Sequence, residues 1–308
     1  MEARHIDVNT YEVKLVLYFD AVNGNPNSKD TSIQVAAYQK SNNRLIDFFE
    51  LPLTTDLAVP YTNPLCQQGN IKTRQWVYVD TIVFKDAKYT DPQGFYLAWE
   101  RCCRNSSVRN IANPAQTGTV FYIELPPTNI PNFDSSPAFK PIIGDYGCVN
   151  RLFKLDFSAT DADGDSLVYK LATPLAGSAT EDNPTAFPSS APYKFINWSA
   201  SYSESVMIPG VLPLRIDPKL GELQVIASLP GLYAFAIVCE AYRNQIKIGE
   251  VRREFQLPVL VCPIKPGPHL SLENKLGRAD TITYKSGTQF CTSFVVTDTV
   301  QATPLKFS

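Results

Sequence analysis

The 24 prolines and 15 glycines of this 308-residue chain cut it into short runs rich in Val, Ile, Tyr, Phe and Thr, with a break roughly every ten residues. No stretch sustains apolar residues at helical spacing, so the pattern predicts an all-β fold. An apolar fraction of 44%, with 11% aromatic residues, is enough for packed cores and argues against disorder. The length holds two domains comfortably, with room for part of a third.

The densest run is Gly94-Phe95-Tyr96-Leu97-Ala98-Trp99-Glu100-Arg101-Cys102-Cys103-Arg104-Asn105. Read as a strand, alternation places Phe95, Leu97, Trp99 and Cys103 on the core face and Tyr96, Ala98, Glu100 and Cys102 on the other. An extended dipeptide does not supply the Cα separation and torsion of a disulfide, so the two cysteines are expected to take different partners. On facing alone, Cys103 would join Cys66 across the core and Cys102 would join Cys148, although connectivity is not deducible from sequence.

In chain order, strands are predicted over Tyr11 to Phe19, Ser32 to Gln39, Arg44 to Leu51, Trp76 to Phe84, the central run and Val120 to Leu125. That set fits one immunoglobulin-like β-sandwich at residues 1–126. Residues 127–147, rich in Pro, Asn and Ser, read as a linker. A second sandwich follows at 148–263, with strands at 152–157, 167–171, 193–198, 214–225, 234–240 and 252–261. Residues 264–308 offer about three more strands, near Thr281 to Tyr284, Phe290 to Val296 and Leu305 onward, too few for a closed sandwich. The chain is therefore expected to stop inside a third β domain, as a fragment of something longer. Its opening, Met1-Glu2-Ala3-Arg4, is not a signal peptide, which fits a cytoplasmic protein or a trimmed mature one.

Charge is balanced, with 28 basic and 30 acidic residues and no basic stripe, which argues against nucleic acid. No apolar run is long enough to span a bilayer. The seven cysteines, at 66, 102, 103, 148, 239, 262 and 291, include no Cys-x-x-Cys pair, and the only histidines are His5 and His269. A zinc site is therefore disfavoured. Disulfides in an oxidising compartment are the better reading, and buried free thiols acting as small apolar residues the alternative. The candidates are Cys66, Cys102, Cys103, Cys148, Cys239 and Cys262.

Four stretches carry a resemblance: Trp99 to Asn105, Ser158-Ala159-Thr160-Asp161-Ala162-Asp163-Gly164-Asp165-Ser166-Leu167-Val168-Tyr169, Ile216-Asp217-Pro218, and Cys239-Glu240-Ala241-Tyr242-Arg243 with Arg252-Arg253-Glu254-Phe255. Together they resemble the amino-terminal region of large surface adhesins of gliding and related Bacteroidetes-type bacteria. The second sandwich is also similar to cadherin-like repeats. The resemblance implies type IX secretion, a role in gliding or attachment, an extracellular cell-surface location and further β domains of the same longer chain. The family tends to carry a cysteine where this chain has Ala172, which would leave Cys239 free or redirected to Cys262.

Asp161, Asp163 and Asp165 alternate around Gly164 and are the candidate metal ligands, with calcium as the candidate cofactor. Calcium takes six to eight oxygens, and alternate aspartates with backbone carbonyls supply several. An EF-hand is rejected, because the twelfth position counted from Asp161 is Ala172 and helical flanks are absent. Cadherin-like repeats bind calcium at such a loop near a domain boundary. The plain alternative is a turn whose aspartates cap backbone amides. Catalysis finds little support: there is no Gly-x-Ser-x-Gly elbow or phosphate loop, and Glu222 with Asp217 is better read as surface charge than as a glycosidase pair. Trp76, Trp99 and Trp198 read as core, Tyr233 as a corner tyrosine, and Arg243, Arg252 and Arg253 as strand-face charges. The expected function is a non-enzymatic segment of a surface adhesin whose partner is a polysaccharide or protein. The alternative is a carbohydrate-binding accessory module of a secreted enzyme, favoured by an exposed coplanar aromatic pair and disfavoured by buried tryptophans.

Overall fold

The computed structural model describes residues 1–25, 28–61, 72–85, 87–129, 134–262, 269–272, 285–287 and 294–297, with backbone only for 269–272 and 294–297. Cys66, Cys291 and the strands expected at Thr281 to Tyr284 and from Leu305 lie outside these residues. The described chain is all-β and contains no α-helix. It divides into two compact units, Met1–Val261 and Cys262–Ser308.

The first seven strands are β1 (Glu2–Asp7), β2 (Thr10–Asp20), β3 (Ser32–Gln39), β4 (Leu45–Ala58), β5 (Thr73–Val83), β6 (Phe95–Arg101) and β7 (Gly118–Leu125). Alternation decides which face is buried. In β2, Tyr11, Val13 and Leu15 enter the core while Glu12 and Lys14 point away from it. β4 is long enough to serve two neighbours: its first half pairs with β3 and Leu53 to Ala58 pairs with β5. The strands run in the order β1-β2-β5-β4-β3-β6-β7.

The sheet does not end there. After β8 (Ala138–Phe139), β9 (Gly147–Cys148), β10 (Phe153–Asp156), β11 (Ala159–Thr160), β12 (Ser166–Ala172), β13 (Leu175–Gly177), β14 (Lys194–Phe195), β15 (Gly210–Ile216) and β16 (Glu222–Ala227) come two long strands, β17 (Gly231–Arg243) and β18 (Ile246–Leu260). β18 pairs with β7, placing Glu250 opposite Glu124, and the order continues β7-β18-β17-β12 in a 13-stranded sheet. The halves expected as separate sandwiches at 1–126 and 148–263 thus share one sheet and one compact unit, and the 127–147 stretch contains β8 rather than a free linker. The reason is that β7 has two usable edges: one pairs with β6 and the other accepts β18 and β13.

A three-stranded sheet, β10-β16-β15, contributes Leu155, Leu214, Leu223 and Val225 to the same core as Tyr233, Phe235 and Leu257 of β17 and β18. Burying each such large side chain stabilises the fold by about 1.5–3 kcal/mol. Tyr233 also donates its hydroxyl to Leu229 O at 3.1 Å, the local bond expected of a corner tyrosine. In the second unit, β19 (His269–Leu272) pairs antiparallel with β20 (Phe294–Thr297).

The face of β3, β6 and β7 turned away from this core carries Tyr38, Tyr96 and Tyr122 and is crossed by residues 178–193. This strap is held from beneath. Tyr38 donates its hydroxyl to Pro188 O, and Ala191 N donates to the Tyr96 hydroxyl at 2.8 Å.

Candidate functional site

The acidic loop between β11 and β12 is built around Asp161. Its Oδ1 accepts the amides of Asp163 and Asp165, both at 3.0 Å, so the first aspartate folds the loop on itself. Gly164 has φ +82° with nothing within 4 Å of a notional Cβ, so glycine serves there for its conformation rather than for space. Asp163 Oδ2 accepts Ser135 N at 2.6 Å. Ser135 and Ser136 in turn accept the amides of His5 and Ala3 on β1, at 3.1 and 2.8 Å. The loop therefore ties down the segment that covers the outer edge of the sheet.

Arg243, the last residue of β17, reaches the loop from the other side. A tight hairpin turn with Asn244 at φ 52° and Gln245 at φ 67° follows it. Its Nε and Nη2 donate to the two oxygens of Asp165 at 2.8 and 2.6 Å, and Nη2 also meets Asp134 Oδ1 at 2.6 Å. The carboxylates are almost sealed, at 2% exposure for Asp134 and 3% for Asp165, against 23% for Arg243. The hydrogen bonds that Arg243 donates to Asp165, reinforced by the charges of Asp134 and Asp165, raise the guanidinium pKa despite burial. Burial, then the neighbouring Asp165 carboxyl, pushes Asp134 up to about 8 against the pull of Arg243. Asp161 is also raised, by burial first and by the charges of Asp165 and Asp163. A hollow of about 560 Å³ opens beside this clamp, lined by Asp163, Asp165, Ser166, Tyr242, Arg243 and Asn244.

These oxygens do not fit a calcium ion. Both oxygens of Asp165 face Arg243, Asp163 Oδ2 and Asp161 Oδ1 hold amides, and Asp161 Oδ2 is the one buried carboxylate oxygen of the loop without a partner. Calcium needs about six to eight oxygens around one point. Among the described residues no group of three or more His, Cys, Asp or Glu is placed to hold a metal. The expected ligand loop is instead arranged around a guanidinium.

The same economy recurs across the unit. Arg104 has a fully buried side chain. It makes a bidentate pair with Glu254 at 2.6 and 2.6 Å and donates to the carbonyls of Thr117, Gly118 and Leu175. Glu100 is fully buried and accepts from the amides and hydroxyls of Ser178 and Ser189 and from Ala179 N, latching the strap. Glu124, Glu250 and Glu240 stand side by side on β7, β18 and β17, and Lys247 Nζ lies among them at 4.0, 2.5 and 3.3 Å. Burial raises the pKa of Glu240, but hydrogen bonds from Lys170, Tyr242 and Lys247 outweigh it and hold the group below its usual value.

Other expected sites resolve as structure. Asp217 accepts the amides of Lys219 and Leu220 in a tight turn, and Glu222 pairs with Lys154 at 2.9 Å. Arg252 pairs with Glu250, and Arg253 lies over the Phe139 ring and donates to Lys140 O. Trp76 and Trp99 are buried, and Trp198 packs against the core.

The cysteines depart from expectation. Cys102 and Cys103 are bonded to each other, which replaces the expected Cys66–Cys103 and Cys102–Cys148 pairs. Their facing is also reversed, with Cys102 buried and Cys103 exposed. β6 ends at Arg101, so strand alternation does not reach the pair. Cys148 and Cys262 are disulfide-bonded. Cys239 is free and buried; the residue opposite it on the neighbouring strand is Tyr169, while Ala172 stands opposite Ala236. Burial pushes its thiol up to about 12.

Comparison with family models, curated proteins and solved structures finds no match.

Proposed function

We propose that the chain is a non-enzymatic, extracellular segment of a bacterial cell-surface adhesin, exported by the type IX route and working in attachment or as a stalk. The observation that carries this reading is how the quoted stretches pair. Arg104 of the central run grips Glu254 of Arg252 to Phe255, and Asp165 of the acidic loop grips Arg243 of Cys239 to Arg243. Residues far apart in sequence are thus matched two by two into cross-links, which is what a load-bearing surface segment requires. The disulfide-bonded Cys148 and Cys262 agree with a location outside the cytoplasm. We read the facing sheets β12-β17-β18 and β10-β16-β15 as the immunoglobulin- or cadherin-like element. Arg243 supplies inside the unit the positive charge that calcium supplies in metal-stiffened arrays.

The test is made in the native host. Antibody should label the chain on intact cells, external protease should remove it, and deletion should lower attachment to glass under flow. A chain protected from protease in intact cells, with cysteines open to alkylation before reduction, overturns the proposal.

A further inference from the structure

A second hollow, of about 360 Å³, lies between β3, β4 and the strap and is lined by Asp30, Ser32, Gln34, Glu50, Trp99 and Thr185. Its volume sits at the low end of the ~300–1,000 Å³ typical of small-molecule sites. Two phenylalanines outside its lining stand close in sequence to residues that line it. Phe48 stands two residues from Glu50 on the same face of β4, and Phe187 lies two residues past Thr185 on the strap. They are 52% and 45% exposed, with ring centroids 6.0 Å apart and planes at 86°. Among the described residues no other two exposed phenylalanines are in ring contact. A half-exposed aromatic pair close to a polar hollow is a candidate interaction surface.

The polar lining says what would cover it. Asp30 is held by Arg101 at 2.5 Å, and Glu50 accepts the Ser32 hydroxyl, so two carboxylates are fixed as acceptors. The Gln34 amide and Thr185 hydroxyl line the hollow and have no hydrogen-bond partner among the described residues. Fixed acceptors, a free amide, a free hydroxyl and an aromatic corner match a ligand with many hydroxyls and an apolar C–H face. Among the described residues Glu50 has no counter-ion, which disfavours an anionic ligand. Perpendicular rings offer one face and one edge, which suits a sugar ring at a chain end or bend rather than a flat crystalline surface.

We propose that this hollow binds pyranose units of a neutral polysaccharide, Phe48 and Phe187 receiving the C–H face while Gln34, Thr185 and Glu50 take the hydroxyls. The proposal deepens the attachment reading by giving it a ligand class and a site, and it rests on that reading for its biological role.

The experiment is calorimetric titration of the full 308-residue chain with neutral β-1,4-glucose, β-1,4-N-acetylglucosamine and α-mannose hexasaccharides. An acidic uronic hexamer and hexalysine are titrated alongside. At least one neutral hexasaccharide should bind, with Phe48→Ala and Phe187→Ala each weakening it about tenfold. Their melting temperatures should stay within a degree or so of wild type, because both rings are half-exposed. Asp163→Asn, at the other hollow, should leave binding unchanged. No neutral binding at millimolar concentration, binding that survives both phenylalanine variants, or binding of hexalysine or the acidic hexamer alone each overturn the site. The two readings fail separately. Absent sugar binding with cell attachment intact removes this site only, whereas sugar binding by a chain retained inside cells keeps the site and removes the attachment role.

Discussion

Replacing Arg243 with alanine should expose the logic of the acidic loop. Its removal leaves the Asp165 carboxylate buried without a cation and beside Asp134, both nearly sealed from water. Removing one partner of a buried ion pair costs about 3–5 kcal/mol, because the remaining charge stays desolvated. Arg243 is partly exposed and Asp134 can take up a proton, so the lower end, about 3 kcal/mol, is expected. For a unit of this size that is roughly a 6–12 °C fall in melting temperature. Arg243→Lys should recover about half, keeping the charge and losing the fork that grips both Asp165 oxygens. The deficit should shrink at pH 5, where Asp134, raised to about 8, carries its proton. Thermal unfolding at pH 5 and pH 8 reads all three effects. A loss under about 2 °C, or one independent of pH, would refute the assignment of the loop to Arg243.

Asp134 gives a signed pH dependence. Its folded pKa, near 8, lies above its unfolded value, so its stabilising contribution is complete below the ordinary carboxylate range and is lost as pH rises toward 8. Asp134→Asn should therefore flatten the fall of chemical-denaturation stability between about pH 4 and pH 8, and an unchanged slope would contradict it. Glu100→Ala leaves the Ser178, Ala179 and Ser189 donors without their acceptor. It should cost roughly 3 kcal/mol and raise hydrogen exchange across 178–193 more than in the core strands, whereas uniform exchange would mean the strap is held otherwise. Cys239 should resist maleimide in the native chain at pH 8 and react only on unfolding, because its thiol is buried and raised to about 12. Rapid native labelling would contradict that burial.

Much of the fold is legible in the sequence where one face is apolar and turn residues bound the run. β3 spans Ser32–Gln39 as read and β6 falls within its expected stretch, while β7, β12 and β16 overlap theirs and overrun them by one or two residues. β1 is invisible to that logic: Glu-Ala-Arg-His-Ile-Asp is an edge strand whose one buried side chain is Ala3. β4 runs past Pro52 to Ala58 because it changes partner from β3 to β5 there, a tertiary event that proline disguises as a loop. The shared sheet is equally hidden, since nothing local announces that β7 will accept β18. At the site, the loop aspartates are legible as a turn, but their cation is not. Arg243 lies 78 residues from Asp165 and carries no local sign of its partner. A usable signal was present in Glu100 and Glu240, charges set inside apolar runs, which must find partners when buried. The cysteine pair escapes strand alternation because β6 stops at Arg101.

Met1–Val261 holds together as one unit with its own buried ion pairs. Differential scanning calorimetry of the full chain, in millimolar calcium and in EDTA, tests it most directly. The account expects a single cooperative transition for this unit at the same temperature in both buffers. Two transitions within it, or a rise of several degrees in calcium that Asp163→Ala abolishes, would contradict the claim, because a ligand that binds only the folded state must stabilise it.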